Sequence, residues 1–517
     1  MSAGPTSLVD LLSAAQRRFP QRRAFRYGGI DTNYADLWRS VIALSQGLRA
    51  HGLQPGERVA LLLESSPEYA IAYYAVLSAG GVAVGLNTAA RGPELAKNVA
   101  HCSAAMLIAA SEHPELPGLM ASCKCLRRVM VTSPAASTRP VPAGVLSWAE
   151  LIAGVQADAD VAGVGSVLDA HSPATIIYTS GTTGDPRGVT LSHRNLVANT
   201  LSILEYLQLT ESDSILNVLP FYYSYGNSVL HTHLAVGAAL ILENSLIYPH
   251  LVVKAMAAER ATGFSGVPST FALLLHRVNL DDYDLTALRY LTQAGGAMTL
   301  SMVNRVRSAV PHARLFVMYG QTEATARITY LPPERLQDKL GSVGVAIPGV
   351  DLEVRDEHDA PVPAGSVGQV CVRGENVMLG YWNNPAATEA VLAGGWLHTG
   401  DLGSLDTDGF LTLIGRSSDM IKTGAHRVSP LEIEEVLAEL DGVAECAAVG
   451  VADEILGEVI KAFVVPRAGA ALDARRVQAH CRSRLAAYKV PKTVECVTTL
   501  PKTASGKIRR FMLKQAG

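Results

Sequence analysis

The sequence predicts an α/β protein. A large N-terminal domain of mostly parallel sheets flanked by helices carries a small antiparallel sheet or barrel, and a small α+β C-terminal domain follows. Three observations predict this. Short β-rich runs alternate with helical stretches over several hundred residues. From Asp351 the pattern changes to short strands separated by turn residues, as in DLEVRDEHDAPVPAGSVGQVCVRG. After Gly415 it changes again, to about 100 residues of mixed helix and strand, enough for a separate domain. The full 517 residues exceed one ordinary core.

Taken in order, residues 35–49 (ADLWRSVIALSQGLR) read as a helix, and 58–63 and 82–86 as buried strands. The run 69–86, YAIAYYAVLSAGGVAVGL, is split by Gly80-Gly81 into a helix and a following strand, so it reads as a buried unit rather than a membrane span. Further strands are expected at 174–178, 239–242 and 315–318. In the C-terminal part, LEIEEVLAEL at 431–440 is an amphipathic helix, followed by strands near 445–451 and 460–465 and a helix near 474–486. The domains are expected to be 1–415 and 416–517.

Composition narrows the function. Hydrophobic residues make up 48% and charged residues 18%, and the net charge is -3, so no global field attracts nucleic acid or an anionic membrane. An anionic ligand must be held by local groups. The first residues, MSAGPTSLVDLLSAAQRRFP, lack the basic start and apolar run of a secretion signal. Seven scattered cysteines without zinc-knuckle or C-x-x-C spacing fit reduced thiols in the cytoplasm. His231 and His233 share a face only on a strand, and no third ligand is near in sequence, so packing is the expected role. Oligomeric state is left as monomer or homodimer.

The most informative segment is YTSGTTGDPRGVTLSH at 178–193. Thr179, Ser180, Thr182 and Thr183 supply hydroxyls, and Gly181, Gly184 and Gly188 let the backbone turn tightly and expose N–H groups. A loop entered from a strand and followed by helix-like sequence suits phosphate oxygens. It is not G-x-x-x-x-G-K-[ST], since Pro186 stands where the second glycine belongs.

With this loop, four further motifs occur in order: MYGQTEAT at 318–325, WLHTGDLG at 396–403, GRSSDMIKTGAHRVSPLEIE at 415–434 and LPKTASGKIRR at 500–510. Together they resemble the adenylate-forming superfamily, which includes acyl-coenzyme A synthetases, peptide-synthetase adenylation domains and luciferases. The resemblance covers nearly the whole chain and is nearest to AMP-forming acyl-CoA synthetases. It implies ATP-dependent adenylation of a carboxylic acid, then acyl transfer to coenzyme A, with transfer to a carrier-protein phosphopantetheine or an amine as alternatives. A catalytically inert nucleotide-binding sensor or scaffold is the alternative of a different class.

The resemblance also implies residue roles. Two anions must meet, so the site needs concentrated positive charge. Lys507 would be the catalytic lysine, Glu323 the Mg²⁺ carboxylate and Thr322 an α-phosphate contact. Tyr319 would lie against adenine, with Gly296, Ala297 and Met298 on the adenine side. Asp401 would accept the ribose hydroxyls, assisted by Arg416. Arg187 stands where the phosphate loop usually has lysine, which keeps charge and changes geometry. Ser418, where Asp or Lys is usual, would be the hinge of a mobile C-terminal domain. Gly424 would admit a pantetheine arm.

The acid is read through FYYSYGNSV at 221–229, which offers Tyr222, Tyr223, Tyr225 and Asn227 but no carboxylate. A free α-amino acid is disfavoured there, because a buried unpaired ammonium is costly. Phe264, Gly266, Gln293 and Gly295 are expected to complete a pocket for a fatty or aromatic acid.

Overall fold

The computed structural model describes residues 4–132, 144–152, 168–179, 186–424, 426–453, 455–467, 469–502 and 508–515. Two large sheets dominate. In one, strands Arg314–Tyr319, Tyr290–Gln293, Gly263–Gly266, Ser214–Asn217, Ala239–Leu242 and Arg23–Tyr27 run parallel in that spatial order, with antiparallel strands at both edges. In the other, Pro173–Thr179, Val82–Gly85, Arg58–Leu62, Met106–Ala110, Arg128–Thr132 and Leu146–Ser147 run parallel, and Arg187–Ser192 and Gly380–Tyr381 add antiparallel strands at one edge.

The packing explains the sequence pattern. Helix Pro67–Ser78 (PEYAIAYYAVLS) has every residue buried except Glu68. A helix apolar on all sides must be covered on all sides. It shares one core with Ile215, Leu240, Tyr290 and Phe316 of the first sheet and Val59 and Leu61 of the second. The alternate residues Leu216, Ile241, Leu291 and Leu315 face a separate core on the first sheet's outer side. Sheets buried on both faces read as continuous apolar runs, as these strands do.

Strands Val350–Arg355, Gly368–Gly374, Trp396–Leu405, Leu392–Ala393 and Leu411–Arg416 form the small antiparallel sheet expected from Asp351 onward. Beyond it, helices Pro430–Glu439 and Ala474–Arg482 share a core with strands Val443–Asp453 and Gly457–Pro466. Between these two units, the Ser429 hydroxyl donates to the Ile414 carbonyl. Among the described residues no helix is long and apolar enough to cross a membrane.

One local expectation is corrected. Arg187–Ser192 is a strand paired antiparallel with Pro173–Thr179, and the helix begins only at His193. Residues 180–185 therefore join two strands of one sheet edge rather than a strand and a helix. The β-branched and leucine residues of RGVTLS are all buried, which suits a strand in a covered sheet.

Candidate active site

Ligands of open α/β sheets bind outside the carboxyl ends of the parallel strands. Here the strands ending at Gly266, Gln293 and Tyr319 lie side by side and parallel. Their following segments therefore emerge together, bringing Gly266, Gln293 to Met298, and Tyr319 to Thr325 to one edge.

Two carboxylates organise this edge. Asp401 is buried, accepts a 2.6 Å hydrogen bond from the Tyr319 hydroxyl at Oδ2 and pairs with Arg416 Nε at 3.1 Å through Oδ1. Asp401 and Arg416 are direct cross-strand partners, so the pairing of Trp396–Leu405 with Leu411–Arg416 sets this ion pair. Asp401 beside it holds Arg416 above the ordinary arginine range. Burial, and then Asp401, drives the Tyr319 phenol well above its usual range, so it stays a donor. Tyr319 thus stands beside Asp401, with its hydroxyl spent on that carboxylate.

Glu323 is held from a distant part of the chain. The Tyr381 hydroxyl donates to Glu323 Oε1 at 2.8 Å, and the Arg187 guanidinium lies 5.9 Å from the Tyr381 ring centroid. Thr322 Oγ1 is 3.2 Å from Ser224 Oγ, at the start of helix Ser224–Val236. The turn carrying Thr322 and Glu323 is strained: Thr325, a β-branched residue, has φ 66. Its hydroxyl donates to the Asn376 carbonyl at 2.6 Å, and Asn376 Nδ2 donates to the Ala324 and Arg327 carbonyls. Gly320 makes the turn sterically feasible, because a Cβ there would stand 2.0 Å from the Ala326 carbonyl oxygen.

Helix Ser224–Val236 presents different faces. Tyr225 points at strand Tyr290–Gln293, its hydroxyl 2.9 Å from both the carbonyl and Oγ1 of Thr292. Asn227 and His231, one turn apart, instead face helix Pro67–Ser78: Tyr73 donates to Asn227 Oδ1 at 3.5 Å and stacks near His231 at 5.4 Å. His233 bonds the Tyr290 hydroxyl at 2.7 Å. Tyr222 and Tyr223 precede the helix with ring centroids 4.7 Å apart. Burial pushes the Tyr223 hydroxyl up to about 12, and the charge of Arg509 from the C-terminal segment acts in the opposite direction. Gln293 is fully buried, donates to the Gly296 carbonyl at 2.8 Å and leaves Oε1 without a partner. Gly295 has φ 84; Gly296 and Ala297 are exposed, and Met298 packs on the outer core.

Phe264 does not belong to this side. Its ring lies in the outer core, 5.8 Å from Phe271, while its neighbour Ser265 faces inward and bonds Thr292 Oγ1 at 2.6 Å. Successive strand residues point to opposite faces, so Phe264 and Ser265 cannot both line one pocket. Gly266 follows at the strand end, against Thr270 and Phe271.

Thr179 and Arg187 are cross-strand partners at the base of the phosphate segment. Ser180, Gly181, Thr182, Thr183, Gly184 and Lys507 lie outside the described residues. Ser418 is exposed, 3.4 Å from Asp419, just beyond strand Leu411–Arg416. Gly424 has φ 58 and donates its N–H to the Leu456 carbonyl at 2.8 Å. Ser224, Tyr381 and Arg327 were missed by sequence reasoning; no motif or spacing marks Tyr381 as the partner of a glutamate 58 positions away. Elsewhere, Cys371 Sγ lies 3.5 Å from His398 Nδ1, while Asp359 stands 3.7 Å from Nε2, which has no hydrogen-bond partner among the described residues.

Residues 12–382 match the AMP-binding enzyme family, and residues 432–507 match the AMP-binding enzyme C-terminal domain. Feruloyl-CoA synthase from an Amycolatopsis species is 35% identical over 493 residues, 95% of each chain. Long-chain-fatty-acid–CoA ligase of Bacillus subtilis is 31% identical, covering 98% of this chain and 94% of that one. The crystal structure of the anthranilate CoA ligase AuaEII in complex with anthranoyl-AMP superposes with a TM-score of 0.90 at 27% identity, covering 99% of this chain and 97% of that one. The chain belongs to the AMP-binding enzyme family and is an adenylate-forming ligase of the carboxylate–CoA type.

Proposed function

We propose that this ligase activates an aromatic carboxylic acid with ATP and Mg²⁺ and passes the acyl group to free coenzyme A in the cytoplasm. The observation that carries this is the convergence of Thr322, Glu323, Asp401 and Ser224 at the carboxyl ends of parallel strands, beside three tyrosines of a segment, 221–229, that contains no carboxylate. Relatives named for feruloyl and anthranoyl groups favour an aromatic acid over a fatty one. The seven cysteines are free thiols, which suits a reducing compartment.

In the first step a carboxylate oxygen attacks the α-phosphorus of ATP, a P–O bond forms, and pyrophosphate leaves with the electrons of the broken P–O bond. Thr322 donates to the α-phosphate, and Lys507 places its ammonium between the two anions. Asp401, preset by Tyr319 and Arg416, accepts the ribose hydroxyls. Glu323 uses one oxygen for Tyr381, and its other hard oxygen suits a cation that takes few protein ligands. Mg²⁺ bound there would neutralise charge on the phosphates. In the second step a thiol attacks the acyl carbon and AMP leaves. Rotation of residues 416–517 about Ser418 would withdraw Lys507 and bring Gly424 to the pantetheine path.

The test is acid-dependent ATP–pyrophosphate exchange over aromatic, aliphatic and α-amino acids, with Lys507→Ala in parallel. Exchange should be strongest with an aromatic acid and fall at least about 100-fold in the variant, the scale of losing a charged transition-state contact. Stronger exchange with a fatty or amino acid would overturn the aromatic assignment. Thioester formed with a carrier protein but not with free coenzyme A, read by mass spectrometry, would overturn the acceptor.

A further inference from the structure

Arg327 is 3% exposed, four residues past Glu323, and forms no ion pair among the described residues. Its Nε has no hydrogen-bond partner, and Nη1 reaches only the Ala326 carbonyl at 3.4 Å. Buried charges are ordinarily paired with an opposite charge. Here the main partner is an aromatic face: the guanidinium carbon lies 4.2 Å from the Tyr225 ring centroid, while the Tyr206 hydroxyl of the helix His193–Leu207 donates to Met318 Sδ at 3.1 Å. A cation over a ring is attracted by the ring quadrupole, the more so when water is excluded.

Tyr225 is therefore held from two directions. Thr292 fixes its hydroxyl, and Arg327 covers one face of its ring. The next residue back, Ser224, touches Thr322. The Arg327 backbone carbonyl accepts from Asn199 and Asn376, and Asn376 also braces the strained turn after Glu323. One buried side chain thus joins the turn presenting Thr322 and Glu323 to the helix and strand on the acid side.

We propose that Arg327 is a positioning residue for the acid. It fixes the Tyr225 ring as a rigid flat wall against which an aromatic acyl group seats, in register with Thr322. This rests on the acid site lying beside Tyr225, as proposed above. A chain without this clamp would still bind ATP through Asp401, Tyr319 and Arg416, whose side chains form no hydrogen bond or ion pair with Arg327 among the described residues.

The test uses the full chain and ATP–pyrophosphate exchange with the aromatic acid that gives the highest rate. Arg327→Met keeps bulk and removes the cation; Arg327→Lys keeps the cation. Arg327→Met should raise the KM for the acid at least ten-fold and leave the KM for ATP within two-fold. Arg327→Lys should recover most of that loss. Tyr225→Leu should produce a similar increase, and the double variant Arg327→Met/Tyr225→Leu should be no worse than Tyr225→Leu alone, as expected for two residues acting through one contact. Equal rises in both KM values, an unchanged acid KM, or additive losses would overturn the proposal. If Arg327→Met fails to fold, Arg327→Lys and Tyr225→Phe decide it: the first should stay within about three-fold of the parent acid KM, the second should exceed it by at least three-fold. No exchange in the unsubstituted chain with any acid would sink the ligase reading, and this inference with it.

Discussion

The two sides of the site are built from different chemistry. On the nucleotide side the carboxylates are met by donors before any ligand arrives: Asp401 by Tyr319 and Arg416, Glu323 by Tyr381, with Arg187 over the Tyr381 ring. On the acid side the tyrosines present neutral phenols, with Arg327 over the Tyr225 ring and the opposed charges of Glu94 and Arg509 acting on Tyr223. Gln293 Oε1 there is buried without a partner among the described residues. Adenosine triphosphate is one ligand with fixed charges, and charged partners aimed in advance suit it. An acid whose tail differs between family members needs shape and a low dielectric more than charge, so neutral aromatic walls suffice.

The largest test of this contrast is removal of Asp401. Asp401→Ala deletes the proposed ribose acceptor and leaves Tyr319 and Arg416 without their partner. Each hydrogen bond to a charged group contributes about 1.5–3 kcal/mol, so the KM for ATP should rise about 100-fold. Tyr319→Phe, which keeps the carboxylate and Arg416, should cost about ten-fold or less on the same scale. The KM for the acid, measured at saturating ATP, should stay within two-fold in both. A comparable rise in the acid KM would show that the two sides are one cooperative unit, and the contrast would fail.

The same contrast explains what was legible in the sequence. The nucleotide side is made of short motifs in which residues near in sequence act together, such as Thr322 with Glu323, so motif order suffices to find them. The α/β layering was legible too, because turn residues separate the buried runs. Phe264 was misassigned for a physical reason. Its strand is covered on both faces, and a run such as GFSG carries no alternation that says which face is which. The same limit applies to Asn227: a helix buried on several faces gives no polar stripe to show that it turns toward Tyr73 rather than Thr292. Tyr381 and Arg327 act through contacts made by tertiary packing, which periodicity does not encode. At the phosphate segment, the motif was visible while its strand-to-strand setting was not, since LSHRNLVANT reads as helix from Leu191, whereas Leu191 and Ser192 close a strand and the helix begins at His193.

A second prediction turns on pH. Burial lowers His231 from 6.5 to about 3 and His233 from 6.5 to about 4. Both are buried and neutral on the helix that begins at Ser224, on the faces turned toward Tyr73 and Tyr290. Unfolded histidines take up protons below about pH 6.5, whereas these folded ones resist until about pH 4 or 3, so the unfolded state binds more protons in between. Their stabilisation is fully present above pH 6.5 and is lost as pH falls through that window. By pH 5 each should cost about 2 kcal/mol of folding stability, an order-of-magnitude figure. Burial also lowers His193 to about 4, so denaturant unfolding at pH 7.5 and pH 5 should show the loss, and His231→Leu should remove about a third of the histidine part of the slope between them. An unchanged slope in that variant would mean that other groups control acid stability.

The smallest effect is expected at Arg187, where the family's usual lysine is replaced. Its guanidinium is 5.9 Å from the Tyr381 ring centroid, near the outer limit for a cation–π contact, and it makes no ion pair among the described residues. It is also half-buried at a strand end, opposite Thr179. Nothing in that setting needs a planar fork, so Arg187→Lys should change exchange rates by less than about three-fold, below the scale of one good charged hydrogen bond. The informative control is Arg187→Met, which removes charge as well. If lysine is tolerated and methionine raises the KM for ATP, a positive charge near the phosphates is the requirement and its geometry is not. If lysine is as damaging as methionine, Arg187 grips a phosphate through two parallel donors. In that case the nucleotide side of this chain, through Arg187 and the Tyr381–Glu323 pair beneath it, differs from its lysine-bearing relatives in how it holds ATP.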